Sequence, residues 1–210
     1  MSCVTECLRT HLPDFVCDMH GFLPGRQTGE ITEAARLLLQ KADEWGIPVA
    51  IVKGDVEKAF DNIEHGLLDR ALEAKGIPLC LRTAVLRELT GVALDVRLQD
   101  VRVPSVCLGK GGKQGCSSTP LLWNVVLDHV LGETAQAWRT SGLGLDLRDG
   151  GTPITDMIWA DDAFCISGSI LGAASMSQDM SYALGDGHLA LKPGSLSLLA
   201  NEAALREAPP

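Results

Sequence analysis

Three aspartates carry the strongest chemical signal in this 210-residue chain. Asp55 closes a short apolar run that begins at Pro48. Asp161 and Asp162 sit side by side between the apolar stretches Ile154–Ala160 and Ala163–Ile166. Hydrophobic flanks place such a pair at a hairpin turn beside a core. Like charges held close there cost free energy unless a cation compensates them. Mg²⁺ prefers oxygen ligands and is usually held by one or two carboxylates together with substrate phosphates. Two such ions, about 3.5–4 Å apart, clamp the attacking and leaving oxygens of an in-line phosphoryl displacement. That chemistry needs carboxylates from separate strands to converge, so Asp55 and Asp161 are the expected pair, with Asp162 next. Adjacent aspartates taken alone read more often as a solvated turn, because Asp is a common turn residue.

The elements that must position them follow from periodicity and breakers. Gly21-Phe22-Leu23-Pro24-Gly25-Arg26-Gln27 is a loop. Ile31, Ala34, Ala35, Leu38 and Leu39 recur at helical spacing, which predicts a helix over about 28–45, stopped by Gly46 and Pro48. Residues 48–52 read as a buried strand ending near Asp55. A helical stretch is then expected to Lys75, and another from Pro78 to Thr90, with proline in its first turn. Alternation over 92–98 and 101–103, linked by Gln99-Asp100, predicts a hairpin. A Gly/Lys loop over 109–115 precedes the longest expected helix, about 118–140. Two strands flank Trp159-Ala160-Asp161-Asp162, and a helix covers roughly 169–185. Residues 1–20 give no clear reading, and 200–210 read as a short tail. This order does not alternate as a βαβα series, so an α+β domain fits better than a doubly wound sheet.

Composition bounds the function. Hydrophobic residues make up 46%, enough for a core, and no apolar run reaches the ~18 residues of a membrane span. The N-terminus has no basic segment followed by an apolar block, so an intracellular, non-secreted protein is expected. Seven cysteines, an odd number, read as reduced side chains. Cys3, Cys7, His11, Cys17 and His20 include zinc-type ligands, but their spacing fits no common zinc pattern. The net charge of −9 runs against the basic footprint of a nucleic-acid binder.

Four segments, in order, resemble a known family. Asp55-Val56-Glu57-Lys58-Ala59-Phe60-Asp61 resembles the first palm motif of non-LTR (LINE-type) retrotransposon reverse transcriptases. Lys113-Gln114-Gly115-Cys116, leading through Pro120 into a helix, resembles the second, and Trp159-Ala160-Asp161-Asp162 the aromatic-Ala-Asp-Asp box. Gly21-Phe22-Leu23-Pro24-Gly25-Arg26 resembles the segment that precedes the palm. Each motif alone is weak, but the four in order, over about 20–199, form a joint signal.

The resemblance implies a right-hand polymerase palm, an antiparallel sheet packed on helices, with partial fingers over 21–199 and the thumb absent. It implies RNA-directed DNA synthesis with an RNA template, a DNA primer and dNTPs, and two Mg²⁺ ions, or Mn²⁺, on Asp55, Asp161 and Asp162. Phe60 falls at the sugar gate, where a ring excludes the 2′-OH; an ordinary core phenylalanine is the alternative. Gln114 and Gly115 fall beside the incoming nucleotide, Lys113 and Lys110 near phosphate, and Arg26 near template or nucleotide. Ser195 stands where the family's fourth palm motif has a lysine thought to protonate pyrophosphate, a role serine fills poorly at neutral pH. Lys192 is the candidate substitute. The expected partners therefore include the missing fingers and thumb of a larger polyprotein, whose basic segments would account for the acidic charge here. A catalytically inactive remnant and a scaffold for protein partners are the competing readings.

Overall fold

The computed structural model describes residues 3–90, 93–94, 97–98, 101–102, 106–107, 109–112, 115–148 and 150–207. In chain order the elements are α1 (Cys3–His11), α2 (Thr28–Trp45), β1 (Ala50–Asp55), α3 (His65–Ala74), α4 (Leu79–Leu89), β2 (Ala93–Leu94), β3 (Arg97–Leu98), β4 (Val101–Arg102), β5 (Val106–Cys107), α5 (Thr119–Ser141), β6 (Asp156–Trp159), β7 (Asp162–Ser167), α6 (Ile170–Asp186), β8 (Ser197–Ala200) and α7 (Glu202–Glu207). They fall into two compact units. One comprises Met1–Asp14 and Lys58–Val126, the other Phe15–Glu57 and Leu127–Pro210.

The second unit holds a four-stranded antiparallel sheet in the order β6-β7-β1-β8. Side chains alternate between faces along a strand, and directly opposed residues share a face. Ile51, Lys53 and Asp55 therefore share one face with Asp162, Phe164 and Ile166 of β7. Met157 and Trp159 of β6 join them through their register with Phe164 and Asp162. The apolar half of this face packs into a core with Ile31 and Ala42 of α2, together with Val49 and Leu145. α2 starts where the Glu30 side chain accepts the Gln27 backbone N–H at 3.0 Å, and stops at Gly46 with φ 63. Across the sheet, α6 packs on β1 and β7. Gly54 lets Leu191, Leu196 and Met180 close over that side, because a Cβ there would meet all three.

The first unit is built from helices and two short antiparallel strand pairs, β2 with β5 and β3 with β4. Leu67, Leu68, Ala71 and Leu72 of α3 and Leu81, Val85 and Leu89 of α4 are buried, and the two helices pack together. Arg82 locks them: its guanidinium donates to Asp69 at 2.8 Å and to Glu73 at 2.6 Å. β3 pairs with β4 so that Leu98 faces Val101, which is the expected two-residue hairpin; Gln99 and Asp100 lie outside the described residues. Ala93–Leu94 pairs instead with a strand not anticipated, Val106–Cys107.

Two expectations need correction. The stretch after Asp55 is not helical until His65. Val56 still pairs, with Leu191, and Lys58 takes φ 48, which an α-helix does not allow. The stretch read as a tail carries α7 and is anchored. Asn201, buried, accepts the N–H of Val49 at 3.1 Å and that of Ala204 at 3.0 Å, and donates to the Ile47 carbonyl at 2.9 Å. An amide buried with its hydrogen bonds made is a fixed point, since leaving them unmade costs about 1–3 kcal/mol per group.

Candidate catalytic carboxylate site

Asp55 and Asp162 are direct cross-strand partners at the end of β1 and the start of β7. Opposed residues have Cβ atoms about 4.5–5.5 Å apart. Their carboxylates therefore project from one face of the sheet, where its apolar half gives way to charge. Each is about a third exposed, at 32%. Asp161 occupies the two-residue turn before β7 with Ala160, whose φ is 57. The Asp161 carbonyl accepts the Val56 N–H at 2.8 Å, which pins the turn to the chain just beyond Asp55. The turn is backed by Gly21: a Cβ there would lie 2.4 Å from the Ala160 nitrogen. His20 and Gly21 also donate their N–H groups to Ile158, at 2.9 and 3.3 Å.

Each carboxylate of the opposed pair has a lysine. Lys53 Nζ lies 2.8 Å from Asp162 Oδ1, and 5.9 Å from the centre of the Phe164 ring. Lys192 Nζ lies 3.9 Å from Asp55 Oδ2 and its side chain is 61% exposed. These lysines supply the compensation that two close anions require. Lys53 was not singled out from the sequence, although its position two residues before Asp55 puts it on the same strand face. Ser195 Oγ accepts the Asp55 backbone N–H at 3.1 Å.

The residues therefore fit a divalent cation in part. Two part-exposed carboxylates on one face give the oxygen donors Mg²⁺ takes from protein. Among the described residues no group of three His, Cys, Asp or Glu side chains is arranged around one ion. The Cys3, Cys7, His11, Cys17 and His20 set forms no such group either.

The other expected residues are placed as follows. Arg26 donates to Glu30 Oε2 at 3.3 Å, four residues on in the same unit. Phe60, in the first unit, is partly exposed and packs against the buried Trp123, with ring centroids 6.1 Å apart. Lys110 Nζ donates to Asn62 Oδ1 at 2.9 Å. Gly115 has φ 82, a conformation that favours glycine. Lys113 and Gln114 lie outside the described residues. Beside them, Cys116 Sγ lies 2.9 Å from Ser118 Oγ, and that hydrogen bond, with backbone ones, lowers its thiol pKa. Burial pushes the Cys165 thiol up to about 12.

Residues 1–193 match the model of the reverse transcriptase (RNA-dependent DNA polymerase) family, and the chain belongs to that family. It is 30% identical over 113 residues to the retrovirus-related Pol polyprotein from type-1 retrotransposable element R2 of Popillia japonica, a match covering 53% of this chain and 15% of that protein. The R2 polyprotein of Nasonia vitripennis is 33% identical over 86 residues, 41% of this chain and 8% of that one. These relatives bear out the resemblance to non-LTR retrotransposon reverse transcriptases, and the chain spans a small part of their length. Among solved structures, apo telomerase from Candida tropicalis superposes with TM-score 0.71 over 95% of this chain and 37% of that one. Telomerase from Candida albicans, in complex with the TWJ fragment of telomeric RNA, gives 0.67 over 95% and 33%. At 10% identity this likeness bears on the fold alone, and it supports the α+β polymerase architecture. Family membership implies dependence on divalent metal in general terms. Among the described residues no helix is long and apolar enough to cross a membrane.

Proposed function

We propose that this chain is the palm-bearing part of an RNA-directed DNA polymerase that adds dNTPs to a primer on an RNA template, within a larger polyprotein acting in the nucleus or cytoplasm. The observation that carries the reading is the opposition of Asp55 and Asp162 on one strand face, with Asp161 in the adjoining turn. Divalent cations held there, two Mg²⁺ or Mn²⁺, would stabilise charge on the attacking and leaving oxygens of the nucleotidyl transfer. The chain's own contribution is to hold the carboxylates at a rigid strand end, with the turn fastened by Gly21 and Val56. Lys192, exposed beside Asp55, is the candidate proton donor to pyrophosphate. Phe60, Lys113, Gln114, Gly115 and Arg26 are proposed nucleotide- or template-side residues, a role that rests on the family resemblance.

A second reading, a non-catalytic remnant, is favoured by Lys53, which sits at 2.8 Å on one of the carboxylates. Mn²⁺ titration followed by electron paramagnetic resonance separates the two, together with primer extension by the chain carried in its longer polyprotein. A catalytic palm binds Mn²⁺ and extends a primer, and both are lost in Asp55→Asn, while Asp161→Ala abolishes extension. A chain that binds no Mn²⁺, or binds it equally well as Asp55→Asn, is the remnant.

A further inference from the structure

On its β8 side, β1 needs a partner for every second backbone group. Ser197 stands opposite Lys53 in the β1–β8 register, and the Ala190 carbonyl accepts the Glu57 N–H at 2.8 Å. Asp55 falls between them, where the partner chain changes. Continuing the β8 register would set Gly194 opposite Val56, but Leu191 stands there, three residues away (194 − 191). The extra residues loop out as the turn Lys192-Pro193-Gly194-Ser195. Proline leads it, Gly194 has φ 74, and the Ser195 N–H returns to the Lys192 carbonyl at 3.0 Å, the signature of a type II turn. With the backbone looped away, the Asp55 N–H has no strand carbonyl to meet on this side. The Ser195 hydroxyl takes it at 3.1 Å, and the Lys192 N–H donates to the Asp55 carbonyl at 2.8 Å.

We infer that Ser195 is a positioning residue: its hydroxyl substitutes for a missing strand partner and fixes the backbone of Asp55, so that the carboxylate is presented in one orientation opposite Asp162. The inference rests on the reading of Asp55 as a metal ligand. It gives position 195 a role that a lysine there would not supply, because an ammonium group has no lone pair to accept an N–H.

Two readouts test it in the full chain. Backbone amide hydrogen exchange at Asp55 reports the hydrogen bond, and Mn²⁺ titration reports its consequence. Ser195→Ala should speed exchange at Asp55 about fivefold, as expected for one lost hydrogen bond. It should also weaken Mn²⁺ binding about tenfold, as expected for loss of a group that orients a ligand. Ser195→Thr keeps the hydroxyl and should restore both, whereas its near-isostere Ser195→Val should not; this pair decides the matter if the alanine variant folds poorly. Unchanged exchange in Ser195→Ala, or faster exchange with unaltered Mn²⁺ affinity, overturns the positioning role. If the wild-type chain itself binds no Mn²⁺, or Asp55→Asn binds it as well, the metal-ligand reading fails and takes the inference with it. Those results differ from failure of the positioning role alone, in which the wild type binds and the serine variants match it.

Discussion

The β6–β7 hairpin carries aspartates at both ends, and they are treated in opposite ways. At the open end, Asp156 is 5% exposed. It accepts from Arg139 Nη2 at 2.8 Å, from the Thr155 hydroxyl, and from the Asp18 backbone N–H at 2.8 Å. Nearby Asp128, also buried, accepts the Cys17 N–H at 2.8 Å. At the turn end, Asp162 and its partner Asp55 are each 32% exposed and each faces the tip of a long lysine side chain. A carboxylate whose lone pairs are taken up by backbone N–H groups and a guanidinium is committed to the fold. One compensated by a mobile ammonium can exchange that partner for another cation at little cost. The same residue type in one hairpin thus separates into structural and available groups by burial and donor type.

The sharpest way to break this comparison is at the committed end. Asp156→Ala takes from Arg139 its carboxylate partner and from the Asp18 N–H its acceptor, at a point where the carboxylate itself is buried. Removing one partner of a buried pair costs about 3–5 kcal/mol, so urea denaturation should show a loss of that order. At the turn end the pattern should invert. Asp55→Asn and Asp162→Asn should change stability by less than about 1 kcal/mol, the worth of exposed ion pairs. Mn²⁺ affinity should nevertheless fall by more than the about 10–100-fold that outer-shell partners typically command. Equal destabilisation at both ends would remove the distinction. Gly21→Ala falls between these cases. Its Cβ would collide with the Ala160 backbone, which cannot swing aside as a side-chain tip can. A cost of about 1–3 kcal/mol is expected for such overpacking, and because the displaced atoms belong to the Ala160–Asp161 turn, Mn²⁺ binding should weaken with it.

Much of this was legible in the residues. The apolar spacing of Ile31, Ala34, Ala35, Leu38 and Leu39, with Gly46 beyond, marked α2 to the residue. Short apolar runs on either side of Asp161 and Asp162 marked the hairpin. The opposition of Asp55 to Asp162 was not legible, because register depends on which two residues form the turn. A turn at Ala160-Asp161 makes Asp162 the first paired residue of β7 and so sets it across from Asp55. β8 was missed although Leu196-Ser197-Leu198 alternates, because a four-residue edge strand leaves its leucines about half exposed and gives little burial signal. The false helix after Asp55 has a similar origin. Val56-Glu57-Lys58-Ala59-Phe60 suits a helix locally, but backbone pairing of Val56 and Glu57 holds the chain extended.

The smallest expected effects sharpen the comparison rather than break it. Among the thiols, Cys116 should be alkylated by iodoacetamide at neutral pH while Cys165 stays inert. Hydrogen bonding from Ser118 favours the Cys116 thiolate, and burial holds Cys165 protonated to about 12. Mass mapping of partly alkylated protein checks this, and modification of Cys165 in the folded chain would mean that the face of the sheet covered by α6 opens.

Lys53→Met addresses the lysine itself. Its ammonium group competes with any divalent cation for Asp162 Oδ1, and methionine keeps the apolar stem against Phe164 while removing the charge. An exposed ion pair contributes about 0–1 kcal/mol, so stability should move by no more than that. The same energy, released from competition, should raise Mn²⁺ affinity by up to about fivefold. Weaker binding in Lys53→Met would mean that Lys53 holds Asp162 in place for the metal instead of competing with it. The turn-end carboxylate would then be positioned by its lysine much as Asp156 is by its arginine, and the two ends of the hairpin would differ only in degree.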